Sequence, residues 1–252
     1  IGTNNLPDCS NMCHESSGVA LSRSIGIGKG TVKLSCFEEA DLILVIGQNP
    51  GTNHPRMLTA LAACKENGGS VVSINPLEET AMKRFKHPQN PLHLIGRGVQ
   101  IADEHLPVRI GGDAALLQGF AKTMLSQGGT DPDFISKNTL GFEDWKRHIE
   151  STDWETIVEQ SGISRDRIEK TGTAIAKSER MIVCWAMGLT QHENSVAVIQ
   201  EVSNLLLAGG HFGKPGAGAC PVRGHSNVQG DRTVGINHHP TEDFISSCEN
   251  ET

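Results

Sequence analysis

No stretch of the chain approaches 18 uninterrupted apolar residues, so its pattern predicts no membrane-spanning helix. Basic charge is also scarce. Lys and Arg number 22 against 29 Asp and Glu, giving a net charge of −7 and a pI near 5.9. The basic residues gather into no stripe, which excludes a general nucleic-acid binder. Paired cysteine motifs are lacking. Of seven cysteines only Cys9 and Cys13 lie close together, with Cys36, Cys64, Cys184, Cys220 and Cys248 scattered. That distribution argues against a disulfide framework and for a reducing, cytoplasmic setting. Cys64 and Cys184 fall in apolar segments and are expected to be buried thiols. There is no internal repeat and no low-complexity tract. IGTNNLPDC has neither the basic start nor the apolar core of a signal peptide. Without an initiator Met, and ending in the polar SSCENET, the sequence is expected to be an excised piece of a longer protein, from which targeting cannot be read.

What is present is an alternation of two periodicities. DLILVIG (41–47) is a continuous apolar run ending in Gly, the pattern of a strand buried on both faces. After the turn-rich QNPGTNHP, RMLTALAACKENGG predicts a helix stopped by its glycines, and SVVSINP (70–76) a second buried strand. Together these make one βαβ unit with a right-handed crossover. LPVRIGGD (106–113) reads as a short strand, followed by a helix capped by Asp113. Helical periodicity dominates from about 133 to 178, with Ser164 as an N-cap. RMIVCWAMG (180–188) is a further buried strand, and 195–210 a helix stopped by a Gly pair. From there to about 235 the Gly-rich chain predicts little regular structure. Strands alternating with helices predict a doubly wound, mostly parallel α/β sheet.

In such sheets ligands bind beyond the carboxyl ends of the strands. The segments to examine are therefore GQNPGTNHP, NPLEET, GGD and MGLTQHEN, whose Gly, Asn, Thr and Gln suit a nucleotide or pterin, though each alone also reads as an ordinary turn. RSIGIGKGT (23–31) lacks the GxxxxGK[ST] spacing of a phosphate loop. HFGKPGAGACPVRGHSNVQG (211–230) carries His211, Lys214, Arg223, His225, Ser226, Asn227 and Gln229 on a Gly-rich backbone, with no acidic residue before Asp231. This favours an anion-facing loop.

The cluster PDCSNMCHESSG (7–18) admits several chemistries. Structural zinc wants a second knuckle, which is missing. A thioredoxin-like pair wants CxxC, whereas Cys9 and Cys13 are CxxxC. A Cys–His hydrolase ordinarily draws its His from elsewhere in the fold. A single thiolate on a soft, open-site metal, with His14 as a neighbouring proton acceptor, is chemically sensible, and so is a pair of buried thiols.

TNNLPDCSNMCHESSG, LILVIGQNPGTNHP, SINPLEETA, IGGDAALL, CWAMGLTQHENS and GGHFGKPGAGACPVRGHSNVQG, taken in this order over about 230 residues, resemble the dimethyl sulfoxide reductase family of molybdenum or tungsten oxidoreductases, and within it the formate dehydrogenase alpha subunits and their relatives. The resemblance implies a dinucleotide-binding-like α/β domain over 1–225 and a crossover into a neighbouring domain over 226–252. It implies bis-molybdopterin guanine dinucleotide as cofactor, with a 4Fe-4S cluster held outside this sequence. It makes Cys13 the metal ligand, His14 the acceptor of the substrate proton and Arg223 the group that orients a formate carboxylate, a task suited to a planar guanidinium. Gly47, Asn49, Asn53 and His54 match a pterin-nucleotide loop, and Asn75 stands where relatives often carry an acidic residue facing the guanosine. Gly112 and Asp113 would face the guanine edge. Gly188, Thr190 and Gln191, with Gly213, Lys214 and Gly218 and with Gly224, Asn227 and Gln229, would line the pterin and phosphates. The implied partner is a small-molecule substrate, formate, with an unspecified electron acceptor. The isolated piece is expected to be inactive. Two rivals remain at this point: a catalytically silent relative that keeps the fold for assembly, and an NAD-binding dehydrogenase, which predicts GxGxxG after the first strand where this chain has GQNPGTNHP.

Overall fold

The computed structural model describes residues 10–89, 91, 95–235 and 240–250. Five parallel strands form one sheet in the order β3-β2-β1-β4-β5: β1 (Leu42–Ile46), β2 (Ser70–Ile74), β3 (Glu104–Leu106), β4 (Met181–Trp185) and β5 (Gly218–Pro221). The order reverses between β1 and β4, as a doubly wound sheet requires. The main helices are α1 (Glu15–Ile25), α2 (Met57–Glu66), α3 (Asp113–Ser126), α4 (Pro132–Asn138), α5 (Phe142–Ser151), α6 (Trp154–Ser161), α7 (Arg165–Lys177), α8 (Ser195–Ala208) and α9 (Glu242–Asn250).

β1 and β4 are apolar at every position because both of their faces are covered. Successive side chains on a strand point to opposite faces. Leu42, Leu44 and Ile46 of β1 and Met181, Val183 and Trp185 of β4 join one core with Leu21, Phe120, Ile168 and Val202 from α1, α3, α7 and α8. Ile43, Val45, Ile182 and Cys184 join a second core with Phe37, Leu61, Cys64 and Met82. Each fully buried aliphatic side chain of this kind contributes about 1.5–3 kcal/mol. Cys64 and Cys184 are buried free thiols, as the apolar context predicts, while Cys9 lies outside the described residues.

Three expectations need correction. The third strand ends at Leu106 rather than running over 106–113. Pro107 has no N–H for a ladder, and the Val108 N–H turns back to the Leu106 carbonyl at 2.9 Å. Val108 is buried without being in a strand, so apolarity there signalled packing. Gly112, not Asp113, occupies the cap of α3, and Asp113 is its first helical residue. Finally, the Gly-rich segment after α8 contains β5 and a helical turn at Val228–Thr233. That turn packs back on the body: Val228 is buried, and Gln229 Oε1 accepts the Gly30 N–H at 2.8 Å. α9 has no buried residue.

Candidate functional site

The carboxyl ends of β1, β4 and β5 converge on the start of α1. At the end of β1, Gly47 takes φ +58° and donates its N–H to Ile74 of β2 at 2.8 Å, while its carbonyl accepts the Gly188 N–H at 3.0 Å. A Cβ on either glycine would run into the other's Cα, so only glycine lets the two strand-end loops touch. β5 continues through Val222, whose N–H bonds the Trp185 carbonyl at 2.8 Å, and delivers Arg223 and Gly224 to the same point.

There they meet Cys13 and His14. The Cys13 thiol, 1% exposed, lies 3.3 Å from the Gly224 N–H, which donates to Sγ. A Cβ on Gly224 would stand 3.3 Å from that sulfur, tight enough to crowd it. The Cys13 carbonyl accepts from Thr190 Oγ1 at 2.7 Å and from Gln191 Nε2 at 3.4 Å, so the loop after β4 holds the cysteine backbone from the other side. Arg223 spans two carbonyls, with Nη1 on His14 at 3.2 Å and Nη2 on Gly28 at 3.1 Å. Its Nε is buried without a partner. Burial lowers the Arg223 pKa, and the neighbouring Cys13 sulfur opposes that shift. His54 Nε2 donates to the Arg223 carbonyl at 2.8 Å. Asn53, His54, Arg223, Gly224, Asn227 and Gln229 line one open groove of about 420 Å³. Beside it, Glu15 forms an ion pair with Arg232.

His14 is wholly buried, and both of its ring nitrogens are engaged. Nε2 lies 2.9 Å from the Val222 carbonyl, which can only accept, so Nε2 carries the proton. Nδ1 therefore accepts from Ser17 Oγ at 2.8 Å, and Ser17 Oγ accepts in turn from Trp185 Nε1 at 2.9 Å. Burial, with the Arg223 cation close by, pushes the His14 pKa from 6.5 down to about 4, so the ring is neutral at pH 7.

The other expected residues fall in three places. Asn49 and Asn75, at the ends of β1 and β2, are joined through Glu79: Asn49 Nδ2 donates to Oε2 at 2.6 Å and Asn75 Nδ2 to Oε1 at 3.1 Å. Asn49 also caps the short turn Pro50–Asn53 by accepting the Thr52 N–H at 3.0 Å. Gly112 and Asp113 sit beyond β3, with His192 close to Asp113. Burial pushes the Asp113 carboxyl from 3.8 up to about 6. Gly213, Lys214 and Gly218 are not brought to the site, because this segment leads into the start of β5 at the amino edge of the sheet. There the tight approaches are structural: a Cβ on Gly216 would meet the Glu39 carbonyl, and one on Gly218 the Thr31 hydroxyl.

Sequence reasoning missed Ser17, Glu79, Trp185 and Val222 as parts of the arrangement. The spacing of Ser17 from His14, three residues on, is the signal that could have found the first.

A family model described as molybdopterin oxidoreductase matches residues 3–250. The chain is 48% identical to an uncharacterized oxidoreductase of Mycobacterium tuberculosis, covering 100% of this chain and 33% of the relative. It is 47% identical to protein YdeP of Escherichia coli, over 97% of this chain and 34% of that protein. Formate dehydrogenase H of E. coli is 29% identical over 93% of this chain and 30% of its own length. Among solved structures, acetylene hydratase from Pelobacter acetylenicus superposes with a TM-score of 0.71 at 21% identity, over 86% of this chain and 27% of that one, a likeness of fold. The chain spans about a third of the length of the curated relatives it matches.

Proposed function

Because the chain belongs to the molybdopterin oxidoreductase family, we propose that it is the part of a larger enzyme that holds one nucleotide arm of a bis-molybdopterin guanine dinucleotide, with Cys13 as the protein's ligand to its molybdenum or tungsten. The observation that carries this reading is the meeting of Cys13 with Gly224 and of His14 with Arg223, contacts between residues 211 and 209 apart in the sequence. The donor set fits such a group. Among the described residues no cluster of three or more His, Cys, Asp or Glu could hold a metal by itself, so a metal here takes most of its ligands from its cofactor. One soft thiolate suits molybdenum or tungsten in a sulfur-rich environment. The unpaired, buried Arg223 Nε is a donor awaiting an acceptor.

The proposed reaction is the oxidation of formate, which gives carbon dioxide, one proton and two electrons. When bound, the cofactor supplies the acceptor for the electron pair. Arg223 holds the carboxylate and fixes its distance from Cys13. His14 takes the proton at Nδ1, because its Nε2–H is committed to Val222; the Ser17 hydroxyl that donates to Nδ1 then has to turn away. Burial and the Arg223 cation disfavour the imidazolium, so the resting ring is neutral and free to accept a proton. An iron–sulfur cluster held outside this chain would carry the electrons away, and the chain alone would not turn over.

A second reading, in which the same site oxidises a different small substrate, is favoured by the names of the relatives at 47–48% identity, which mention no formate. Anaerobic purification of the full-length protein, followed by metal analysis and a substrate panel including formate and nitrate, separates the two. Stoichiometric metal with formate-to-dye activity supports the first reading. Metal with activity on another member of the panel supports the second. Unchanged activity in Cys13→Ala overturns thiolate ligation in both.

A further inference from the structure

Three buried groups and one half-buried carbonyl form a single directed chain behind the site: the Trp185 indole N–H, the Ser17 hydroxyl, the His14 imidazole and the Val222 carbonyl, at 2.9, 2.8 and 2.9 Å. The direction of every bond is fixed by its end groups. An indole N–H can only donate and a carbonyl can only accept, so Ser17 must accept from Trp185 and donate to His14. Ser17 and Trp185 are fully buried, and water cannot substitute for either end. The chain joins three separate elements: α1, the last residue of β4, and the segment leaving β5.

Its consequence lies at the ends of two peptides. The His14 ring clamps the carbonyl of Val222, the residue before Arg223. The carbonyl of His14, the residue after Cys13, receives the Arg223 guanidinium. Rotation of the imidazole therefore moves Arg223 relative to Cys13. We propose that Ser17 is a positioning residue: its hydroxyl holds the His14 ring in the orientation that sets the separation of Arg223 from the Cys13 sulfur. This rests on the reading of Cys13 and Arg223 as the ligand and the carboxylate holder of one site. The Ser17 hydroxyl accepts from the indole and donates to the imidazole at once. A methyl in its place leaves two buried groups without partners.

The test compares Ser17→Thr, Ser17→Val and Ser17→Ala in the full-length enzyme. Thr and Val have nearly the same shape, so crowding affects both alike and only the hydroxyl differs. Ultraviolet resonance Raman spectra report the hydrogen bonding of indole N–H, and subtraction of the Trp185→Phe spectrum isolates Trp185 from the other tryptophans. The expected result is a Trp185 band that moves to its unbonded position in the Val and Ala variants and stays in place in Thr. Formate kcat/KM should fall about 10- to 100-fold in Val and Ala and recover in Thr, as expected for a small displacement of an orienting group. Equal activity in Thr and Val overturns the proposal, as does a band that does not move in Ala. If neither Thr nor Val folds, the Ala spectrum and kinetics decide on the same criteria. A wild-type enzyme with full metal content but no formate oxidation removes the substrate reading, and the band comparison then upholds or overturns the positioning.

Discussion

Replacing Asp113 by Asn in the cofactor-free protein should change how stability depends on pH, with a sign and size that follow from the burial of one carboxyl. Asp113 is 7% exposed at the start of α3. A helix start ordinarily favours a negative charge. Here desolvation outweighs that preference and the pull of His192, raising the carboxyl from 3.8 to about 6. Between those values the folded protein holds a proton that the unfolded chain has released, so stability falls as pH rises, by about 1.4 kcal/mol per pH unit. The whole interval amounts to about 3 kcal/mol. The amide that replaces the carboxyl carries no proton to lose. The stability difference between variant and wild type should therefore sit at a baseline near pH 4 and grow in favour of the variant to about 3 kcal/mol above pH 6. His14 and His211 pull the other way. Burial lowers each from 6.5 to about 4, so the stability of their neutral forms is present above 6.5 and is lost as pH falls towards 4. Both histidines are common to the two proteins and cancel in the difference. Urea unfolding at half-unit steps from about pH 4 to 7 measures it. A difference that stays constant across that range refutes the reasoning.

Four further outcomes are expected. Gly188→Ala puts a methyl against the Gly47 backbone, where neither loop can yield without losing the 3.0 Å hydrogen bond between them. It should cost about 1–3 kcal/mol in chemical denaturation. Gly128→Ala, in open space, should cost only the strain at its positive φ of 68°. Glu79→Ala leaves Asn49 and Asn75 without their shared acceptor, and should lower stability by about 1 kcal/mol and speed hydrogen exchange over residues 49–53. Arg223→Lys replaces a planar fork by a single ammonium that cannot span the carbonyls of His14 and Gly28. It should weaken substrate binding about tenfold or more in steady-state KM, with metal content unchanged.

The buried strands were legible because β1 and β4 are covered on both faces and so are apolar at every position. α1 was not, because ESSGVALSRSI shows only a narrow buried stripe of Ser17, Ala20 and Leu21. β5 escaped because Gly218 opens it, Pro221 closes it and a single partner strand suffices to hold it at the sheet edge. Resemblance brought Cys13 and Arg223 together, and the geometry agrees that they are neighbours. It did not reveal how His14 is held: Val222 is 208 residues away, and Ser17 lies on a helix that the pattern does not announce. The GKPGAG glycines lie at the other edge of the sheet. Their composition suits a phosphate loop, but Gly216 and Gly218 are small because Glu39 and Thr31 press against them at the amino edge of the sheet.

The central claim is that Cys13 sulfur binds the metal of a molybdopterin cofactor. X-ray absorption at the metal edge, on full-length wild type and Cys13→Ser of equal metal content, tests it most directly. Loss of one sulfur scatterer in the variant, replaced by oxygen, is the predicted result; an unchanged sulfur count would contradict it.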